Sequence, residues 1–329
     1  MSKRNRIILF FVIVFLLLLF LYQGVYGKKE SRGQEEKLFL VERGQGLFSV
    51  AKRLDKEDLV SHKTFFILYT LVTGDQRNLK AGAYFLSPSL SAAEIADQLV
   101  AGKTATAAVR IGEGWNIRDI AEYLEEKKLF EPEDFFKVVG LPSSEGFKNQ
   151  FDSMKDKPSS VGLEGYLFPD TYAIEYGQSG EQFVGVILKN FEEKLTAEIR
   201  GEIKAQGKTI FEIVTMASML EKEVRTPEEK RLVAGILWKR LEYGIPLQVD
   251  ATVLYITGKG STSISQDELE IDSPYNTRKY RGLPLGPISN PGMESILAAL
   301  HPQKSGYWYY LSSPEGQTLF SRTLEEHNI

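Results

Sequence analysis

Cysteine is absent from the 329 residues, and histidine occurs only at His62, His301 and His327. The first absence excludes disulfides, thiol nucleophiles and Cys-ligated metals. It suits an exported bacterial protein without proving export. The three histidines are scattered and form no H-E-x-x-H pair, so a zinc hydrolase is not expected, and neither is any metal or cofactor. There is no G-x-S-x-G elbow, and no serine stands beside a partnered histidine, so nucleophilic serine catalysis has no support. Gly102-Lys103-Thr104 resembles the tail of a phosphate-binding loop. Asp97 stands where that motif needs its first glycine, and a helix rather than a strand precedes it. Positive charge is also scarce. After residue 27 the chain holds 37 basic against 44 acidic residues, a formal charge of −7, which makes nucleic acid a poor partner. What remains is carboxylate chemistry, whose usual substrates are sugars.

The length suggests about two domains plus extras, and 43% hydrophobic with 26% charged residues fits globular material. Ile7 to Tyr22 is an unbroken apolar run, extended by Gly24-Val25-Tyr26. It approaches the roughly 20 residues that span a bilayer. Lys3, Arg4 and Arg6 before it favour a cytoplasmic N-terminus. A cleaved signal peptide, with Val25 and Gly27 at the small-residue positions, is the alternative. The length of the run and the lack of an A-x-A site favour an uncleaved anchor.

The chain then reads as a linker over 27–37, followed by strand Leu38–Val41, helices Leu47–Lys56 and Lys63–Thr73, and strand Ala83–Leu86. Ser91 with Glu94 forms a capping box opening a helix to Val100. A gapless internal repeat at an offset of 70 aligns Val41–Phe66 with Ile111–Phe136, matching Gly44 to Gly114, Leu54 to Leu124 and Phe66 to Phe136. Two copies are too few for a solenoid; a small unit used twice, in a purely structural role, explains it equally. Residues 140–162 read as a long loop or a domain-internal insertion. Gln182–Lys204 reads as one amphipathic helix. Leu247–Tyr255 reads as a strand or the start of a short helix. Asn290 is expected to cap a helix with Pro291 at its first position, and a hairpin is expected around Pro314-Glu-Gly316.

The segment Thr209–Val224 is the sharpest signal. Ile210, Ile213, Val214, Ala217, Leu220 and Val224 form one helical stripe, and Glu221 lies inside it while Glu212 and Glu223 project away. An acid among apolar side chains loses hydration, which favours its neutral form and suits a general acid. The competing reading is a glutamate at the stripe's edge, paired with an Arg or Lys. Thr226, Pro227 and Glu229 open a second helix, placing Glu221 near the bend of a hairpin. Glu164-Gly-Tyr-Leu-Phe-Pro-Asp-Thr-Tyr172 is a turn rich in aromatics and acids. It suits sugar recognition, or an ordinary buried turn.

These stretches are similar to one family. Glu164–Tyr172, Ala217-Ser-Met-Leu-Glu-Lys-Glu223, Leu247-Gln-Val-Asp250, Ser273-Pro-Tyr-Asn-Thr277, Gly282–Gly292 and Thr323–Asn328 resemble the endolytic murein transglycosylases (the MltG or YceG-like group), in order across about residues 38–328. The resemblance implies an α+β architecture: cytoplasmic tail 1–6, transmembrane anchor 7–26, linker 27–37, LysM-like β-α-α-β module 38–103 and catalytic domain 104–329. It implies a single-pass protein of the bacterial cytoplasmic membrane with its catalytic domain outside. The implied activity cuts nascent peptidoglycan between N-acetylmuramic acid and N-acetylglucosamine and leaves 1,6-anhydromuramic ends. Peptidoglycan strands are the implied partner, with cell-wall synthases as further candidates. The family's catalytic acid falls on Glu221. Glu164, Tyr166, Asp170, Gln248, Asp250, Tyr275 and Asn276 are candidates to line the glycan cleft, each of which could instead be a structural turn residue. Ala251 and Leu285 stand where the family often has proline, and Arg278-Lys279-Tyr280 alters another stretch. Two rival readings remain: a hydrolytic muramidase with Asp250 or Asp170 as second carboxylate, and a glycan-binding scaffold without catalysis.

Overall fold

The computed structural model of this chain describes residues 3–28, 35–141, 143–259, 263–312 and 318–328. It is a mixed α+β protein whose chain divides into two compact units, Met1–Ala107 with Ala173–Gln178, and Ala108–Tyr172 with Ser179–Ile329.

The first unit begins with helix α1 (Lys3–Tyr26), 24 residues long. At 1.5 Å per residue it measures about 36 Å, enough to cross a hydrocarbon core of about 30 Å. Its apolar side chains from Ile7 to Phe20 are almost all exposed, so it is not the core helix of a soluble domain. Residues 29–34 of the expected linker lie outside the described residues. Strand β1 (Lys37–Val41), helices α2 (Leu47–Lys56) and α3 (Lys63–Thr73), and strand β2 (Gly82–Leu86) follow in the expected order. β1 and β2 pair antiparallel, from Lys37 opposite Leu86 to Val41 opposite Gly82. Strand alternation turns Phe39 and Val41 inward and leaves Leu38 and Leu40 outside. The inward pair packs with Val50, Leu54, Leu59, Phe66, Tyr84 and Ile95. Helix α4 (Ala92–Ala101) starts on the Ser91–Glu94 capping box and stops at left-handed Gly102.

The repeat is carried by the backbone. Strand β3 (Thr106–Arg110) leads to α5 (Ile117–Glu126) and α6 (Pro132–Val139). Helices α2 and α5 begin and end 70 residues apart. Gly44 and Gly114 both take positive φ, at +83° and +75°, and so do Asp58 and Lys128, at +60° and +56°. The same bond follows each time, Leu59 N to Leu54 O at 2.9 Å and Leu129 N to Leu124 O at 3.0 Å. β3 pairs with β4 (Thr171–Glu175), so the second copy is also a β-α-α-β unit, with a long insertion before its last strand.

That insertion is more ordered than a loop. It holds helix α7 (Glu145–Lys148) and a 3-10 turn at Asp152–Met154; Pro142 lies outside the described residues. The organising group is Lys157, fully buried, whose Nζ donates to Val161 O (2.6 Å), Pro158 O (3.2 Å) and Glu145 Oε1 (3.0 Å). The expected helix 182–204 is two, α8 (Gly180–Lys194) and α9 (Ala197–Ala205). Buried Leu195 leaves the helical conformation at ψ 76°, and Thr196 caps a new start by accepting from Ile199 N.

Helices α10 (Ile210–Glu223) and α11 (Pro227–Glu242) form the expected hairpin, each opened by a capping box at its threonine. The segment 247–255 forms no strand: it is irregular up to Val249, with Gln248 left-handed, and helical from Asp250 (α12, Asp250–Thr257). A short helix α13 (Gln266–Leu269) precedes the turn-rich stretch. Helix α14 (Met293–Leu300) packs on both α10 and α11. Its N-cap is Gly292 rather than Asn290, and Pro291 lies before the helix. The reason is that the Asn290 side chain is committed elsewhere, as described below. β5 (Tyr309–Ser312) and β6 (Thr318–Ser321) pair antiparallel as a hairpin, whose turn at 314–316 lies outside the described residues. Helix α15 (Leu324–His327) closes the chain.

Candidate active site

The site is built in the second unit on the last turn of α10. Ile213, Val214, Met216, Ala217, Met219 and Leu220 are fully buried, so the helix is wrapped on more sides than one stripe. Glu221 follows them. Its side chain is 8% exposed and faces Lys230 of α11, itself 3% exposed, with Nζ 3.0 Å from Oε1. Oε2 accepts from Ser295 Oγ at 2.7 Å and from Gly292 N at 2.9 Å, at the start of α14. The helix-dipole end of α14 favours that negative charge. An acid surrounded by apolar groups is therefore not what the fold provides. The stripe position is real, but the carboxylate is received by an ammonium and two donors, which is the competing reading.

Two loops close on this carboxylate. The loop 286–292 docks on α10 through Ser218, whose Oγ accepts from Ile288 N at 3.0 Å and whose carbonyl accepts from Ser289 Oγ at 3.0 Å. Asn290 is buried and acts as a clamp. Its Oδ1 accepts from Gly165 N and Leu167 N, both at 2.9 Å, and its Nδ2 donates to Trp115 O (2.9 Å) and Glu164 Oε1 (3.1 Å). The second loop, 111–116, is held by Gly114 N on Asn290 O (2.9 Å) and by Lys222 Nζ on Gly114 O (3.2 Å). A Cβ on Gly114 would stand 3.4 Å from Glu221 Cγ, and one on Gly292 would fall 2.2 Å from Glu113 Oε1. Glu113 is thus a second carboxylate at the site. Glu113 is an exposed residue; partial desolvation of its carboxyl, and then the charge of Glu221, push it above the ordinary glutamate range against the opposing pull of Lys230.

The other candidates divide. Glu164 is buried, accepting from Ile117 N (3.1 Å), Tyr255 OH (3.2 Å) and Asn290. Desolvation pushes it up to about 7 despite those donors. A buried acid with a raised folded pKa binds more protons folded than unfolded between its free value and about 7. Stability is therefore full below the free value and falls as pH rises through the folded one, by about 3 kcal/mol for this group alone. Urea unfolding from acid to neutral pH should show that fall, and Glu164→Gln should flatten it by one proton. An unchanged slope would contradict the assignment. The Tyr275 ring lies tilted against Tyr255, with centroids 5.1 Å apart, and Tyr255 in turn donates to Glu164. Tyr255 also lines a cavity of about 340 Å³ with Asn116, Arg118, Lys222 and Ile288.

Tyr166 and Asn276 do not line a cleft. Tyr166 is fully buried against Phe191, and its hydroxyl meets no hydrogen-bond partner among the described residues. Its ring is core and its hydroxyl is an unmatched polar group. Tyr166→Phe should leave activity intact and hold or raise stability by up to about 1 kcal/mol in urea unfolding; a clear loss of activity would return Tyr166 to the site. Asn276 is a buried loop organiser, donating to Leu269 O and Ile271 O, both at 2.9 Å, and accepting from Arg278 N at 3.0 Å. Asp170 faces α8; its bond from Thr171 N, and then Asn190 (3.1 Å) and Lys194 (3.4 Å), hold it below the usual carboxylate range.

Gln248 and Asp250 line a different cavity, of about 390 Å³, with Glu223, Arg240, Arg278 and Tyr310. Asp250 is bonded to Arg278 there, and Gln248 takes φ +56°. Desolvation pushes Glu223 up to about 7. The two acids of one helix turn therefore open onto separate surroundings. Sequence reasoning missed Glu113, Lys230, Gly292 and Ser295. For Glu113 the available signal was the repeat, which aligns it with Arg43 and so marks it as a departure within a shared turn.

A sequence model of the YceG-like family matches residues 39–329. A Bacillus subtilis (strain 168) protein named endolytic murein transglycosylase is 33% identical over 298 residues, covering 87% of this chain and 81% of that protein. A protein of the same name from Streptococcus pneumoniae serotype 2 is 30% identical over 315 residues, 88% of this chain and 56% of that longer relative. A crystal structure of a yceG-like protein from Listeria monocytogenes has 32% identity and a TM-score of 0.63, covering 90% of this chain and 99% of that one.

Proposed function

The chain belongs to the YceG-like family, and from that premise we propose that it is an endolytic lytic transglycosylase acting on peptidoglycan, with Glu221 as its acid. The reading extends to a single-pass anchor in the bacterial cytoplasmic membrane, supported by α1, with residues 38–103 as a LysM-like module and 104–329 as the catalytic domain outside. Cell-wall synthases are natural neighbours for an enzyme that acts on nascent strands.

The observation that carries Glu221 is its place: one buried carboxylate at which α10, α11, the start of α14 and the 111–116 loop converge. In the proposed reaction Glu221 protonates the glycosidic oxygen as the bond between the anomeric carbon of N-acetylmuramic acid and that oxygen breaks. The muramyl 6-hydroxyl attacks the same carbon and gives its proton to Glu221. The nucleophile belongs to the substrate, so proximity lowers the barrier without a bound water. A second carboxylate of the glycosidase kind is not required.

A specific observation favours one rival acid. Glu223 is pushed up to about 7 and opens onto a cavity that also holds Gln248 and Asp250. The test is mass spectrometry of products from purified peptidoglycan incubated with the full chain in detergent and with its Glu221→Gln and Glu223→Gln variants. Anhydro ends that vanish only in the first variant support the reading. Loss only in the second transfers the role to Glu223. Reducing ends would mean a muramidase, and binding without cleavage would mean a scaffold.

A further inference from the structure

Resting on the transglycosylase reading, we propose a second binding site for the peptidoglycan strand, remote from Glu221. It is a groove between the C-terminal half of α11 and the 302–308 segment. Trp238 and Tyr243 stack sugar rings there, and Lys208 and Lys304 meet the carboxylates of the stem peptides.

The groove has a volume of about 610 Å³, and its lining includes those four residues with Lys239 and Glu242. It lies far from the acid along one helix. Glu221 meets α11 at Lys230, and Tyr243 is the C-cap of that helix. From one to the other the helix rises about 20 Å at 1.5 Å per residue.

The walls of the groove are fixed by their own bonds. Gly235 lets the segment lie flat on α11, since a Cβ there would collide with Gln303 O. Gln303 N donates to Arg231 O at 2.8 Å, and Lys239 Nζ donates to Ser305 O at 3.2 Å and to Tyr307 O. Lys239 also lies over the Trp308 ring, 4.1 Å from its centroid, and Tyr243 meets Trp308 edge-on with centroids 5.2 Å apart. Trp238 is oriented by its ring N–H, which donates to Ala299 O at 2.9 Å. The site is therefore formed before any ligand arrives.

Two kinds of group face outward from this frame. The first is aromatic. Tyr243 is 67% exposed, which leaves a ring face free and a hydroxyl beside it. The second is positive charge. Lys208 Nζ stands 4.7 Å from the Trp238 ring centroid and donates to Gln206 Oε1 at 3.2 Å. Neither Lys208 nor Lys304 has a carboxylate partner among the described residues. Three lysines against Glu242 make the groove basic, on a chain that beyond residue 27 carries a formal charge of −7. Cations gathered beside aromatic rings on an acidic protein select a ligand that offers both apolar faces and carboxylates. A peptidoglycan strand does so: its sugar rings follow in series, and the muramic residues carry peptides with free carboxylates. An acidic protein segment would bring the charge without the repeated ring faces. Two sites on one polymer make the second contact intramolecular, so long strands gain affinity that short ones do not.

The test is co-sedimentation of the full chain in detergent with purified sacculi, either intact or stripped of stem peptides by an amidase. The parent carries Glu221→Gln so that the strands stay whole. Tyr243→Ala should weaken binding to both kinds by about tenfold. Tyr243→Phe keeps the ring and should bind as the parent does, which separates lost stacking from lost folding. Lys304→Glu, at an exposed position, should weaken binding to intact sacculi by several-fold and leave stripped sacculi near the parent value. The parent's preference for intact sacculi should fade with added salt. With Glu221 restored, Tyr243→Ala should release anhydro ends from short strands at the wild-type rate and from polymeric strands several-fold more slowly. Tyr243→Ala and Lys304→Glu binding both kinds of sacculi as the parent does would overturn the groove, and anhydro ends made by wild type would still support the transglycosylase reading. Groove-dependent binding without anhydro ends would do the reverse.

Discussion

Glu221→Gln is expected to reduce glycan cleavage by about 10³-fold, the scale of a lost general acid. The amide keeps the size of the side chain, and its oxygen can still accept from Ser295 or Gly292, so the architecture around α14 has little cause to rearrange. What disappears is the ability to give and retake a proton. The same substitution leaves Lys230 facing an amide rather than a charge, and the protein should therefore lose stability as well as activity. The two effects separate by temperature. A folded variant, shown by circular dichroism well below its melting point, should still be inactive. Cleavage within a few-fold of wild type under those conditions would remove Glu221 from the chemistry.

Lys230→Met should have the largest effect on stability. Both partners of the ion pair are nearly sealed from solvent, at 3% and 8% exposure. Removing the ammonium strands a buried carboxylate, which costs about 3–5 kcal/mol in comparable settings. For a chain of this size that lowers the melting temperature by roughly 10 °C. The diagnostic result is the double variant. Adding Glu221→Leu to Lys230→Met removes the stranded charge and should recover much of the loss, because an apolar pair can replace a buried ion pair with little penalty. The cycle would then give a coupling energy of several kcal/mol. Additive losses would show that the two side chains do not depend on each other. The pair is thus not a stabilising ornament: it holds a charge at a place where the fold alone would reject one.

The sequence shows the periodic and capped parts of this protein clearly. The α10–α11 hairpin begins at Thr209 and Thr226 because each threonine is followed three residues later by a glutamate that completes a capping box. The 70-residue repeat is legible because its glycine turn and its apolar spacing are both local. The site is less legible, for a physical reason. Glu221 meets Lys230, Gly292 and Ser295, and Glu113 lies beside Gly292; no local period links these positions. Asn290 shows the opposite failure. By local rules it is an ideal cap beside a proline, but it spends both ends of its amide on Gly165, Leu167, Trp115 and Glu164. Tyr166 and Glu164 sit two residues apart in one motif and go to different fates, one into the core and one onto the Asn290 clamp. A motif shared by a family marks residues that matter without saying whether they matter to packing or to chemistry.

The duplicated turn gives this protein an internal reference. Gly44 adopts the left-handed conformation with open space where a Cβ would go, whereas Gly114 adopts it with Glu221 and Lys222 standing there. An alanine at position 44 therefore reads only what the backbone conformation demands, about 1 kcal/mol. The same change at 114 reads that quantity plus whatever the acid's immediate surroundings require. The difference between the two measures how much of a glycine's worth belongs to the shape of the chain and how much to the neighbour it touches.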